Sequence, residues 1–345
     1  MTERLEASRM VNMKLEDQEG YQGIKKFLPY KGAFVTFTYR CQCRCKHCGV
    51  GLFKRKNEKE FTTEEIKSLV LDRLQDCGIK VAYFFGGEPT IHEDFIELIR
   101  YANKIGLLVR FDTNGLKLTK KDFVKEIKDA GVIYLLVSLD SANPEVHDRF
   151  RRMKGAWKSA VEAIKNCVGL GVSVGISTVV TKQSLQTGDT KKIIQLGKDL
   201  GVFEIRLLTP MLVGRWQKRE EMKLSQEELK EFWSLLEPNF VLWEDACDGT
   251  FPFVCLSMAQ YVFAVTAYGD VQPCCYIPIS FGNVRKEPLK VIVDRMWRGS
   301  YFEQERLHCL DCPMNDDKFR SKILKLIERR QEYPVEFNES VFRAE

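Results

Sequence analysis

The feature that most constrains this chain is a rhythm. Apolar runs at 33–39 (AFVTFTY), 79–85 (IKVAYFF), 107–112 (LLVRFD), 132–139 (VIYLLVSL), 172–180 (VSVGISTVV) and 202–208 (VFEIRLL) alternate with stretches of helical period at 62–76, 93–105, 119–130, 155–170 and 189–200. Short, near-continuous apolar runs are strands buried on both faces, and strands alternating with helices build a parallel sheet. The punctuation agrees: Thr62 and Glu65 stand at capping-box spacing, and Gly131, Gly171 and Gly201 close three helices. The fold class that follows is α/β, a partial (β/α)6 TIM-like barrel. Most of the runs end in small or polar clusters, CQCRCKHC, GGEP, DTNG, SLDS and TPMLVGR. In such folds the C-terminal ends of the strands carry the site.

Past residue 240, after a helix at 225–236 begun by Ser225, the rhythm breaks. Residues 247–285 read as short strands and turns, with YVFAVTAYGDVQPCC a β-hairpin turning near Gly269–Asp270. A short helix at 289–297 and a basic amphipathic helix at 318–330 follow. The expected organisation is a tail or cap at 1–32, the barrel at 33–240, a small domain at 241–315, and a helix and tail at 316–345. Lys+Arg is 53 and Asp+Glu 48, so the net charge is 53 − 48 = +5, too mild to demand a nucleic-acid partner. No apolar run reaches the length of a membrane span, and MTERLEASRM has no apolar segment of the signal-peptide kind. The expected location is the cytoplasm.

Twelve cysteines stand out in a chain with no export signal, which favours metal over disulfide chemistry. Cys41, Cys45 and Cys48 form a C-x3-C-x2-C loop directly after the first strand. Three thiolates can hold three irons of a [4Fe–4S] cube and leave the fourth for a chelating ligand. Zinc is the competing reading, with His47 or Cys43 as fourth ligand.

At these residues the sequence resembles the radical S-adenosylmethionine (SAM) superfamily. CQCRCKHC carries that family's CxxxCxxC triad, and GGEP at 86–89 its second signature. The resemblance implies a cluster on Cys41, Cys45 and Cys48. It implies that Gly86, Gly87, Glu88 and Pro89 form the turn receiving the SAM amino group, with the aromatic position before the third cysteine, His47, near adenine. It further implies SAM contacts at Thr113 and Asn114, at Ser138, at Ile176 against adenine, and at Arg151 for the SAM carboxylate, with Arg149 and Arg152 as alternatives.

Cys255, Cys274, Cys309 and Cys312 form a second set, enough to close a site fully; a structural zinc is the alternative. The arrangement resembles the auxiliary-cluster extension of radical SAM enzymes in its shorter "twitch" form. The longer SPASM form carries a further CxxCxxxxxCxxxC run, where this chain has HCLDCPMNDDKF and no cysteine after 312. Cys275 competes with Cys274 for one ligand position, and GDVQPC favours Cys274.

The implied cofactors are SAM and two [4Fe–4S] clusters, one binding SAM and one auxiliary. The implied chemistry is reductive cleavage of SAM and hydrogen abstraction from a peptide or small polar metabolite, ending in oxidation, crosslinking or rearrangement. An external one-electron donor such as flavodoxin or ferredoxin would supply the electron. Arg206, or Arg215, could bind a substrate carboxylate, with Tyr83 or Trp216 lining the mouth. A peptide epimerase would need a thiol hydrogen donor, for which Cys247 is the candidate. An RNA-modifying enzyme, suggested by KRKNEK at 54–59 and the basic 318–330 helix, and a non-catalytic metal protein are the other readings.

Overall fold

The computed structural model describes residues 31–53, 58–237, 239–243, 256–257, 260–299 and 312–337. Its frame is the expected alternation. Strands β1 (Lys31–Thr38), β2 (Ile79–Gly86), β3 (Leu108–Thr113), β4 (Val132–Ser138), β5 (Val174–Val179) and β6 (Ile205–Leu208) pair in sequence order, all parallel. Helices α1 (63–77), α2 (Phe95–Lys104), α3 (Lys121–Asp129), α4 (Pro144–Arg151), α5 (Ala156–Gly169), α6 (Lys182–Gln186) and α7 (Asp189–Leu200) form the crossovers. Thr62 caps α1 through the expected box with Glu65, and Ser225 caps α8 (Gln226–Ser234) in the same way. The middle of α1, Ile66–Leu71, is wound as a π-helix.

The sheet is larger than six strands. β7 (Val241–Trp243) continues it in parallel beside β6, and the hairpin of β8 (Val262–Val265) and β9 (Val271–Gln272) joins its other side, with β8 parallel to β1. The full order is β7-β6-β5-β4-β3-β2-β1-β8-β9, an open barrel edged by β7 and β9. β7 is three residues long, too short to carry a period, and the partner of β8 lies more than 200 residues away, which no local pattern announces. The hairpin itself turns as expected at Gly269, which takes a φ of +95° that other residues avoid. β10 (Ile279–Ser280) and β11 (Val335–Glu336) form a small parallel pair, and α9 (Leu289–Arg298) and α10 (Asp317–Arg330) complete the chain. Among the described residues no helix is long and apolar enough to cross a membrane.

The two sheet faces differ. Val35, Phe37, Phe84, Val109, Phe111, Val137 and Ile176 are buried under Ile66, Val70, Leu98, Val124, Ile127 and Ile164 of the helices. Alternate residues point into the barrel, where Tyr83, Arg110, Tyr134, Glu204 and Arg206 form a polar floor. Phe95 anchors the outer layer, its ring 5.0 Å from Phe111 and 6.2 Å from Phe84. Phe95→Ala should therefore cost about 3–5 kcal/mol, read as a lowered urea midpoint with an unchanged slope.

Candidate active site

At the C-terminal ends of the strands lies a cavity of about 340 Å³, and the three loop thiols, Cys41, Cys45 and Cys48, are on its wall. The loop is held by five partners. From below, Gly87 N–H donates to Thr38 O (2.8 Å) and Glu88 N–H to Arg40 O (3.0 Å). A Cβ at Gly87 would collide with the carbonyls of Tyr39 and Arg40, and Gly86 sits at φ +150° against Thr38 O. The two glycines are needed because backbone meets backbone here. With both N–H groups spent, this turn can offer a ligand carbonyl oxygens rather than donors.

Glu60, from the loop before α1, accepts from Tyr39 N–H (2.7 Å) and Thr38 Oγ1 (2.6 Å). Beside the loop, Asn114 Nδ2 donates to Gln42 Oε1 (3.1 Å) and reaches 4.0 Å from Cys41 Sγ. The C-terminal end of α4 accepts Arg44 N–H at Arg151 O (3.2 Å) and Lys46 N–H at Phe150 O (2.9 Å). Over the top, Arg215 donates through its N–H to Cys48 O (3.1 Å) and through its guanidinium to the carbonyls of Arg44 and Cys45.

Glu88 is almost fully buried and its carboxylate is fully engaged. Oε1 accepts from Thr90 Oγ1 (2.6 Å) and Thr113 Oγ1 (2.8 Å), and Oε2 from Asn114 N–H (2.7 Å). Burial raises its pKa against those bonds. It therefore ties the GGEP turn to the TNG turn, two features the sequence shows only as separate motifs. Gly86, Gly87, Glu88, Pro89, Thr113, Asn114, Ser138, Arg151 and His47 all line the cavity. Ile176 does not: it is fully buried on the helix side of β5, while its neighbour Ser177 lines the cavity. Arg206 lies below, in the floor, bonded to Glu204 Oε1 (2.6 Å) and Tyr134 Oη (3.0 Å). Tyr83 is there too, under the Arg110 guanidinium at 4.2 Å. Trp216 and Arg215 both line the cavity, and Arg215 Nη1 donates to the loop.

Charge is distributed unevenly among the thiols. Cys43 donates toward Cys41 and Cys45, so its own pKa is raised and it stays protonated. That hydrogen bond lowers Cys41, and lowers Cys45 to about 6 with help from Arg151 against burial. Burial raises Cys48. The Cys43 N–H also donates to Cys41 Sγ (3.4 Å). His47 is half-buried, stacked on Phe150 with centroids 4.8 Å apart, and burial lowers its pKa to about 4. It presents a neutral aromatic plane to the cavity. Among the described residues no three His, Cys, Asp or Glu side chains gather around one point as a single zinc ion requires. Three thiols on one open wall, two of them acidified, suit an iron–sulfur cluster with one vacant corner.

The sequence reading missed Glu60, Asp140, His147 and Tyr276. Asp140 Oδ2 accepts from Arg151 Nε (2.5 Å), and its N–H donates to His147 Nδ1 (3.1 Å). Tyr276 lines the cavity while its N–H donates to Cys274 Sγ (3.4 Å). Of the second set, Cys274 and Cys312 are half-buried, and Cys275 is buried. Cys255 and Cys309 lie outside the described residues, as does Cys247.

A family model described as the radical SAM superfamily matches residues 35–197, and the SPASM model, an iron–sulfur cluster-binding domain, matches 255–313. The AdoMet-dependent heme synthase of Oleidesulfovibrio alaskensis is 30% identical over 301 residues, 78% of this chain and 75% of that protein. The mycofactocin maturase MftC of Mycolicibacterium smegmatis is 36% identical over 155 residues, 44% of this chain and 38% of that one. Among solved structures, Streptococcus suis SuiB bound to its precursor peptide SuiA has a TM-score of 0.60 at 17% identity, covering 91% of this chain and 76% of that one. At that identity the likeness speaks for the fold.

Gly87→Ala tests the clamp. A methyl group there pushes the 39–40 backbone away, so anaerobically reconstituted protein should hold about four irons per chain instead of about eight, measured by iron analysis, with the far-ultraviolet dichroism unchanged.

Proposed function

The chain belongs to the radical SAM superfamily, with an iron–sulfur cluster-binding domain after its barrel, and from that premise we propose that it abstracts hydrogen from a peptide or small polar metabolite, with net oxidation, crosslinking or rearrangement. Its cofactors are SAM and [4Fe–4S] clusters. Cys41, Cys45 and Cys48 would hold the first cluster, and Cys274 and Cys312, with Cys255 and Cys309, the second. When bound and given one electron by an external donor, SAM and the first cluster would supply a 5′-deoxyadenosyl radical, with methionine as the other fragment.

The observation that carries the reading is that one cavity is shared. Its wall holds the first three thiols and also Tyr276, whose backbone is bonded to Cys274. A substrate seated there touches residues tied to both cysteine sets. The protein's part is positioning and exclusion of water. The 86–88 turn offers acceptors for the SAM amino group. His47, flanked by Phe150 and Trp216, offers a flat, uncharged surface for a base. Ser138, Ser177 and Thr209 line the opposite wall with hydroxyls. The floor side chains beneath block the barrel, so a substrate must approach from the mouth.

A tetrapyrrole substrate is the second reading. It is favoured by the relative named AdoMet-dependent heme synthase, which aligns over three quarters of both chains, where the peptide maturase aligns over less than half of either. Basic helix α10 lends an RNA substrate no support: Phe319, Ile323 and Leu326 pack inward, and Arg320 is paired with Glu220 and Asp317.

Reconstituted protein given dithionite and SAM should release 5′-deoxyadenosine and methionine, and Cys48→Ala should reduce release to background. Anaerobic incubation with deuterium-labelled peptides and labelled iron porphyrins then separates the two readings. Deuterium should enter 5′-deoxyadenosine from one class only. Absence of cleavage by fully reconstituted protein would refute the enzyme reading.

A further inference from the structure

Arg151 is held where a substrate- or SAM-binding arginine would be poorly placed to move. It is nearly buried at the last turn of α4. Its Nε is bonded to Asp140 Oδ2 at 2.5 Å and its Nη1 lies 3.6 Å from Cys45 Sγ. Its own carbonyl accepts Arg44 N–H from the cysteine loop. Asp140 in turn cannot follow a wandering guanidinium. Its Oδ1 accepts Val179 N–H from β5 (3.1 Å), and its N–H is bonded to His147 Nδ1. Two elements, β5 and α4, thus hold Asp140, Asp140 holds the Arg151 guanidinium, and that guanidinium lies against Cys45 Sγ.

We propose that Arg151 and Asp140 are a matched pair that sets the reduction potential of the SAM-binding cluster through Cys45. They are positioning residues, acting on the cluster through its ligand. An N–H donated to a cluster sulfur and a nearby positive charge both favour the reduced, more negative state. A buried carboxylate behind the cation opposes it. The observed arrangement holds these two effects against each other at one thiol. Removing either member should then move the potential, in opposite directions. Arg151→Gln leaves Asp140 uncompensated, takes the cation from Cys45, and disfavours reduction. Asp140→Asn releases the cation's full field onto Cys45 and favours reduction.

The inference rests on Cys41, Cys45 and Cys48 being the ligands of the first cluster, and the test keeps the two apart. The holoenzyme is titrated anaerobically and followed by electron paramagnetic resonance. The signal used is the one that SAM perturbs, and it should be missing when Cys41, Cys45 and Cys48 are all alanine. If that signal survives the triple substitution, the ligand reading falls, and this proposal with it. At a fixed ambient potential, Arg151→Gln should lower the reduced-to-oxidised ratio by about tenfold, equivalent to about 59 mV for one electron, and Asp140→Asn should raise it. Arg151→Lys, which keeps a cation but gives up the planar fork, should fall between Arg151→Gln and the unsubstituted protein. If Arg151→Gln does not retain iron, the opposed signs of Arg151→Lys and Asp140→Asn carry the same test. Shifts of the same sign, or none, overturn the proposal. So does a loss of SAM affinity in Arg151→Gln at unchanged potential, which would make Arg151 a SAM ligand alone.

Discussion

The structure depends on one backbone-to-backbone contact. The chain leaving β1 at 38–40 and the turn leaving β2 at 86–88 share two hydrogen bonds, with no room for a side chain between them. Parallel neighbours emerge from a sheet side by side, so their loops meet naturally at its C-terminal edge. Only glycine lets them meet this closely. The contact gives the cysteine loop a fixed origin, and Glu88, one residue later, carries the fixation sideways to β3 through Thr113 and Asn114. Three consecutive strand ends thereby become one rigid rim.

The barrel interior completes the site from beneath. Arg206 is bonded to Glu204 and Tyr134, while Arg110 is bonded to Tyr134 and lies over Tyr83. Burying charges is costly unless they are paired and hydrogen-bonded, and such a network adds little stability over an apolar filling. What it adds here is shape. Long, bonded side chains from four strands form a floor beneath the cavity. Arg206, expected at the mouth as a carboxylate receptor, is bonded instead to Glu204 and Tyr134 within that floor.

Much of this was legible in the sequence because it is local. Strand and helix positions follow from period, caps from Thr62 and Ser225, and the cysteine loop and GGEP from spacing. What was hidden depends on pairing across distance. Glu60 gripping Thr38, and Asp140 gripping Arg151, are single acidic residues in sequences full of them. Ile176 is a misplacement that alternation itself speaks against: in VSVGIST, Val172, Val174 and Ile176 share the helix face, Ser173, Gly175 and Ser177 the other, and it is Ser177 that lines the cavity. β7 was too short to announce itself, and the partnership of β8 with β1 has no local trace.

That last partnership changes how the two cysteine sets relate. A hairpin in a separate lobe would hang from a linker, and the spacing of the clusters would vary with it. Here β8 is hydrogen-bonded along β1, the strand that feeds the first cysteine loop. The hairpin turn accepts Phe61 N–H at Ala267 O (2.8 Å), next to the Glu60 that holds Tyr39. Asn315 accepts Leu212 N–H (3.0 Å) from the loop after β6, and a Cβ on Gly49 would lie 2.9 Å from the Tyr276 ring. Cys274 and Cys312 are therefore placed by the same sheet and the same loop as Cys41, Cys45 and Cys48. Separation of the two is a property of the barrel rather than of a connection, and proximity effects, which fall steeply with a displacement of 1 Å, can be sustained across a site built from both ends of the chain.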